Sequence, residues 1–426
     1  MIDIKLIRET PDVVRKDLEK RGIDTGIVDR VASLDDEWRA ALQEVERLKH
    51  ERNKVTADIA RLKKGGKDAS AQIKSMSKIP NRIRELEARA EELKSSVNKE
   101  MLDIPNILHE SVPKGEAEED NLVLREEGKK PDFKFEPRDH IELGKICDLI
   151  DIERAAKVSG ARFYYLKNEV VLMEFAIVQY VLDILRKKGF VLHVTPALIR
   201  EEVMEGAGFL PAGKDDIYKV EGEKLYLVGT SEQALAGLHM DEILSKSKLP
   251  LHYSGFSSCF RTEAGSHGRD TKGIFRVHQF DKVEMFLFTK PEDSWDEHEF
   301  LLETAEEIYK GLKIPYRVVN VCTGEMGVVA SKKYDIEAWF PGQGKYREVV
   351  SCSNCTDYQA RRLKIRCRDN PGDPTEFVHT LNSTAAAISR TIVAILENYQ
   401  NEDGSVDIPG ALRPYIHIDK ITPRAK

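Results

Sequence analysis

No stretch of this chain approaches the roughly 18 consecutive apolar residues that a membrane helix requires, so nothing in it reads as a span. The start, MIDIKLIRETPDVV, lacks the basic region and following apolar run of an export signal, which gives the expectation of a soluble cytoplasmic protein. Cysteine is sparse, with six in 426 residues, which argues against a secreted disulfide scaffold and fits a reducing compartment. Neither a GxGxxG nor a GxxxxGKS/T occurs, so the glycine-rich phosphate loops of Rossmann and P-loop folds are missing. Positive charge is not in excess either. The formal net charge of −7 excludes a protein that coats nucleic acid over its whole surface and leaves room for a local basic patch.

What is present is enough apolar sequence, 41% of the chain, for a large core in more than one domain. From about residue 29, Val31, Leu34, Trp38, Ala41, Val45, Leu48, Val55, Ile59 and Leu62 recur at alternating steps of three and four, interrupted only by Arg52. After the breaker KKGGKDAS the stripe resumes with Met76, Ile79, Ile83, Leu86, Ala90, Leu93 and Val97, so the two segments predict an antiparallel coiled-coil hairpin over about 29–103. Such an arm would be roughly 50 Å long. Pro80 falls inside the second stripe, and that helix must begin later or bend there.

Charge along the hairpin is segregated. Between residues 52 and 84 lie Arg52, Lys54, Arg61, Lys63, Lys64, Lys67, Lys74, Lys78, Arg82 and Arg84 against Asp58 and Asp68, ten minus two or +8, whereas the base is acidic. A partnerless solvated surface would mix its signs; a basic tip points to phosphate backbone. Residues 105–121, with Pro105 and Pro113 before an acidic run, read as a linker between an N-terminal domain (1–104) and a larger domain (122–426). In the latter, short β-rich runs are not regularly separated by single helices. An α+β fold on a mostly antiparallel sheet is expected.

The chemistry sits in a few strand-end motifs. FRTEAGSHGRDTKGIFRVHQFDKVEMF (260–286) mixes Arg261, Glu263, Arg269, Arg276, Lys282 and Glu284 with strand-forming apolar residues, which an ordinary sheet core would avoid. Either the sheet is internally salt-bridged or its polar face holds a charged ligand: Arg can grip phosphate, Phe can stack on a base, and carboxylates can take an ammonium group or Mg²⁺. VGTSE offers Thr230, Ser231 and Glu232 to a small amine-bearing ligand, and REVVSCSNC sets Glu348 and Ser351 three apart, a Mg²⁺–phosphate pair or a strand with one exposed acid. LNSTAAAISRTIVAILENYQ reads as a helix-forming run that joins Asn382, Ser383 and Thr384 to Arg390 in an otherwise apolar segment, its small residues letting the helix pack closely on the sheet. The CxxC of Cys352 and Cys355 has no second pair to complete a zinc set.

Taken together, these segments resemble class II aminoacyl-tRNA synthetases. The 260–286 stretch resembles their motif 2, LNSTAAAISRTIVAILENYQ their motif 3, and VTPALIREEVMEGAGFLP, with Pro196, their motif 1. The arm, IPNILHESVP, GTSE and TGEMG through TDYQARR are similar to the seryl-tRNA synthetases in particular, in order and along essentially the whole chain. The resemblance implies a six- to seven-stranded antiparallel catalytic sheet flanked by helices, a homodimer through motif 1, and an arm that grips the long variable arm of tRNA(Ser) bound by the other subunit. The implied activity is that of a serine–tRNA ligase, with serine activated by ATP to seryl-adenylate and passed to the 3′ end of the tRNA.

Carried over residue by residue, the resemblance makes Arg261, Arg390 and Glu348 catalytic. ATP would be held by Arg261, Thr262, Glu263, Phe275, Val277, Glu348, Val349, Val350, Ser351 and Arg390, and Mg²⁺ by Glu348 and Ser351. Serine would meet Thr230, Glu232, Glu284, Asn382 and Thr384, and tRNA would meet Arg52, Lys54, Arg61, Lys63, Lys64, Lys74 and Lys78. LNST and LVGTSE resemble archaeal and eukaryotic forms, Glu325 stands where the family usually has Asp, and the common type implies no zinc. A non-catalytic RNA-binding paralogue would be expected to lose Arg261, Glu263, Glu348 or Arg390, and all are present. A ligase acting on a carrier protein would lack the arm, and a class II synthetase for threonine or proline would need more than the 26 residues that follow LENYQ.

Overall fold

The computed structural model describes residues 1–264 and 272–424, which divide after Pro105 into two compact units. The unit Ile2–Pro105 is helical: α1 (Ile4–Glu9), α2 (Pro11–Lys20), α3 (Gly26–Lys64), α4 (Ser70–Met76) and α5 (Ile79–Leu102). The 39 residues of α3 extend over roughly 60 Å. Val31, Ala41, Val45 and Leu48 of α3 are buried, as are Ile83, Ala90, Leu93 and Val97 of α5, so the seam follows the sequence stripe. Farther out, Val55, Ile59 and Leu62 are only half-buried, because two helices alone cannot enclose them.

Pro80 resolves the ambiguity in the second stripe. It lies in the first turn of α5, where its missing N–H had no intrahelical partner to lose, and the stripe breaks between α4 and α5. Less expected is Asp35, whose side chain is 1% exposed. Arg8 grips it with two hydrogen bonds of 2.7 and 2.8 Å, and Arg39 adds one of 2.9 Å. Burial pushes the Asp35 carboxyl up, but Arg8 and Arg39 outweigh it and hold the group below the usual range. Its stabilising contribution is therefore fully present above the ordinary aspartate range and lost as pH falls through the depressed value. Asp35→Asn should lower the local opening free energy of α1–α3 by roughly 1–3 kcal/mol, read as lost hydrogen-exchange protection. Unchanged protection at neutral pH would refute that role.

The unit from Asn106 onward is built on an eight-stranded sheet. Its strands are β1 (Leu122–Glu127), β2 (Val191–Val194), β3 (Leu251–Phe260), β4 (Gln279–Thr289), β5 (Tyr316–Asn320), β6 (Lys332–Phe340), β7 (Lys345–Asn354) and β8 (His379–Ala387), in the order β1-β5-β6-β7-β8-β4-β3-β2. The expectation of six or seven strands is corrected to eight. All neighbours are antiparallel except β2 and β3, which run parallel at one edge.

Helices α6 (Glu169–Lys187), α8 (Ser294–Gly311) and α9 (Ile388–Asn398) cover one face of this sheet; the short α7 (Ser231–Ala236) lies between the first two in sequence. Met173, Ile177, Leu301, Ile308, Ile392 and Val393 pack there against Val283, Met285, Leu287, Ile336 and Ala338. Of residues 105–121, read as a linker, those from Asn106 on are part of this unit: Asn106 is buried, its amide donating to the carbonyls of Val329 and Cys355, and Leu108 and Val112 pack with Val319 and Val321.

Candidate active site

The opposite face of the sheet is covered only in part, where Phe286 and Phe288 pack with Leu235 and Ala236 of α7 and with Ala360 and Leu363, and beside that patch it carries the charged residues. β4 is buried almost throughout, yet the two-residue period of a strand sends Val283, Met285 and Leu287 into the core and Phe280, Lys282 and Glu284 into a cavity of about 490 Å³. β6 does the same: Tyr334, Ile336 and Ala338 face the core, and Lys333 lines the cavity.

On β7 the simple period fails, and usefully. Glu348 and Ser351 are three apart and would face opposite ways, but Glu337 pairs with Glu348 while Ile336 pairs with Val350, leaving Val349 as an extra residue. This bulge turns Glu348, Ser351 and Ser353 to the same cavity. A second bulge on β8, between Thr384 and Ala386, follows the cavity-facing Asn382 and Thr384.

One end of the cavity is cationic. Arg261 donates to the Gly229 carbonyl at 3.2 Å and lies 5.3 Å from the centroid of Phe280. Arg390, in the first turn of α9, donates to the Glu348 carbonyl at 2.9 Å, lies 3.6 Å from its carboxylate and stacks 4.7 Å from the Phe275 centroid. Arg276 pairs with Glu263 at 2.7 Å. Burial, then the neighbouring Arg261 and Arg276, lowers the Arg390 guanidinium, with Glu348 opposing. Burial pushes the Glu348 carboxyl up, but Arg390, Lys333, Arg261 and Arg276 outweigh it and hold the group low. Four cations around two carboxylates make a site for a polyanion.

The other end is acidic. Thr230 caps α7, its hydroxyl accepting from the Glu232 amide at 3.1 Å, which directs Glu232 into the cavity. Burial, then repulsion from Glu284, raises the Glu232 carboxyl to about 7. Glu284 pairs with Lys282 at 2.6 Å and faces Thr384 across the β8–β4 pair, while Asn382 donates to Glu232 at 3.1 Å.

All five serine candidates therefore line one cavity with Arg261, Glu263, Phe275, Val277, Glu348, Val349, Ser351 and Arg390. Thr262 and Val350 do not: the Thr262 hydroxyl donates to the Asp215 carbonyl, and Val350 lies in the core. Arg269 falls outside the described residues. The sequence reading gave no role to Lys333, whose signal was the polar–apolar alternation of KKYDIEAW, or to Gly208 and Phe209, which carry no local signature. Cys355 forms part of the cavity wall and Cys352 is buried in the core. Among the described residues no group of three or more His, Cys, Asp and Glu is disposed to hold a metal ion.

His140 supports the cationic end from behind. Its Nε2 accepts from the Ile274 N–H at 3.3 Å, so the ring proton is on Nδ1, which donates to the buried Glu397 at 3.1 Å. Gly273, at φ 78°, passes so close that a Cβ there would lie 2.0 Å from Nε2. Phe275 follows two residues later. His140→Ala should raise KM for ATP roughly tenfold with KM for serine little changed, since an orphaned buried N–H costs on the order of 1–3 kcal/mol. His140→Gln, which keeps an acceptor near the Nε2 position, should stay within about twofold. Equal rises in both KM values would contradict this.

The basic residues 52–78 belong to the other unit. Arg52, Lys54, Arg61, Lys63 and Lys64 lie on α3, Lys74 on α4 and Lys78 just before α5; all are exposed except the half-buried Arg52.

Comparison with known proteins agrees with both units. Residues 1–108 match the seryl-tRNA synthetase N-terminal domain, and residues 218–399 match the tRNA synthetase class II core domain (G, H, P, S and T). The chain is 50% identical over 448 aligned positions to the serine–tRNA ligase of Pyrococcus horikoshii, covering 100% of this chain and 98% of that one. Among solved structures, seryl-tRNA synthetase from Pyrococcus horikoshii complexed with ATP superposes with TM-score 0.96 at 49% identity, covering 100% of both chains. The cytoplasmic serine–tRNA ligase from Naegleria fowleri in complex with AMP gives 0.91 at 34% identity, covering 100% and 99%.

Proposed function

Because the chain belongs to the seryl-tRNA synthetase family, we propose that this cavity binds ATP and L-serine end to end, makes seryl-adenylate, and passes the seryl group to the 3′ end of tRNA(Ser). The observation that carries the reading is the division of one cavity into a cation-rich end around Arg261 and Arg390 and a carboxylate-rich end around Glu232 and Glu284. The first suits phosphates and the second an ammonium group.

In this arrangement the adenine lies against Phe275, the α-phosphate meets Arg261 and the γ-phosphate meets Arg390. The serine carboxylate attacks the α-phosphorus; the new P–O bond forms as the bond to pyrophosphate breaks, and pyrophosphate leaves with its electron pair. The protein forms no covalent bond. Its part is to align the two substrates and to neutralise charge that grows in the transition state. The adenylate then yields its seryl group to a hydroxyl of the terminal ribose, with AMP as the leaving group.

Glu348 and Ser351 fit Mg²⁺. Their hard oxygens face one way because of the β7 bulge, and a small oxygen set suffices for an ion held mainly by phosphates and water. When bound it would supply further charge neutralisation on the phosphates.

Selectivity follows from the acidic end. Alanine would leave buried carboxylate and amide groups without the partner that the serine hydroxyl provides, and threonine must be excluded by shape. The basic residues 52–78 of the arm would hold the tRNA. A homodimer is supported by an uncovered apolar face: Leu172 and Phe175 of α6, and Val191 and Val194 of the edge strand β2, are each more than half exposed.

Serine transfer to a tRNA(Ser) transcript tests the reading. Acid-stable incorporation of labelled serine is expected, and binding of the tRNA without charging would identify a non-catalytic RNA-binding protein instead.

A further inference from the structure

Gln359, in the short helix Tyr358–Leu363, is completely buried and lies outside the cavity lining. Each of its polar atoms is engaged. The amide nitrogen donates to the Ala207 carbonyl at 3.0 Å and to Oε1 of Glu232 at 2.9 Å, and the amide oxygen accepts from the Thr380 hydroxyl at 2.7 Å. Asn382 donates to the same Oε1, so one oxygen of Glu232 takes two hydrogen bonds while, among the described residues, no donor reaches the other.

The charges around Glu232 explain why this matters. Facing it are Glu284 and Lys282 from β4, Arg261 at the end of β3, and the Cys355 thiol. Lys282 is taken by Glu284. Glu232 is thus a buried carboxylate with no ion-pair partner among the described residues, and the cation it lacks is one that the substrate can bring.

We propose that Gln359 is a positioning residue for serine recognition: by clamping one oxygen of Glu232, oriented in turn by Thr380, it turns the other oxygen to the cavity in the ionised form that takes the ammonium group of serine. This deepens, and rests on, the serine-activating reading of the cavity. Two donors on one oxygen stabilise the carboxylate against burial, which otherwise favours the protonated acid. The clamp also ties Glu232 to Ala207, next to the cavity residues Gly208 and Phe209, and to β8, which carries Asn382 and Thr384.

The test is the pH dependence of kcat/KM for serine in ATP–pyrophosphate exchange, with full-length protein. Glu232 must lose its proton to hold the ammonium group, so activity falls on the acid side, and a higher Glu232 pKa moves that limb to higher pH. Gln359→Met, similar in length but without the amide, should move the limb up by on the order of one pH unit and raise KM for serine roughly tenfold while KM for ATP stays put. Thr380→Val, which only frees the amide to rotate, should shift both in the same direction by less, and it decides the matter if Gln359→Met does not fold. An unmoved limb, or equal rises in both KM values, would overturn the proposal. Wild-type exchange is measured in the same assay: its absence with serine would strike the functional reading itself, whereas normal wild-type exchange with an unmoved limb in the variants would strike only the role of Gln359.

Discussion

Arg261→Ala is expected to lower serine-dependent ATP–pyrophosphate exchange by on the order of 10³-fold, with little change in the thermal transition. Arg261 is held by the Gly229 carbonyl and rests on Phe280, at the cationic end of the cavity. A donor fixed in advance stabilises charge as it develops, without reorganisation at the moment of reaction. Most of the loss should therefore appear in kcat. Arg261→Lys should recover only part of it, because an ammonium group cannot reproduce the planar two-pronged contact with phosphate oxygens. A loss confined to KM for ATP, with kcat intact, would show that Arg261 binds ground state and transition state equally.

The second large effect separates the two units. Replacing Arg61, Lys63, Lys64 and Lys74 together by alanine should leave serine-dependent exchange within about twofold, yet lower kcat/KM for tRNA(Ser) charging by on the order of 10²-fold at moderate salt. These side chains are exposed at the far end of the hairpin, so their loss should not disturb its seam. The slope of log(kcat/KM) against log salt should also become shallower, by roughly 0.7–0.9 for each phosphate contact removed. Charging unaffected by the four changes would place the tRNA elsewhere.

Much of this was legible in the sequence for identifiable physical reasons. Periodicity shows what a face buries, so the stripe from Val31 to Leu48 and its return from Ile83 to Val97 predicted the seam. Charge against expectation shows what a face binds, and Lys282 and Glu284 among Val283, Met285 and Phe286 located the cavity. Long-range geometry was not legible. Nothing in REVVSCSNC announces that Val349 is bulged, although that bulge is what brings Glu348 and Ser351 to one face. Asp35 reads locally as one more acid at the base of the arm, and only the fold brings Arg8, 27 positions away, to it. Gln359 lies in TDYQARR with no local hint of its role, because its partners Ala207, Glu232 and Thr380 come from three separate segments. GFVLHVTP reads as the strand β2, although its parallel pairing at the sheet edge is not encoded locally. The segment that local pattern misreads is LNSTAAA: its alanines favour a helix, yet pairing with β7 and β4 makes it strand β8, and the helix starts only at Ile388.

The most direct test of the central claim is ATP–pyrophosphate exchange by the purified chain, run separately with serine, threonine, alanine and proline. The account predicts exchange with serine, strong rejection of alanine, and loss of the serine signal in Arg261→Ala. Exchange with none of the four, from folded protein that retains tRNA binding, would contradict it.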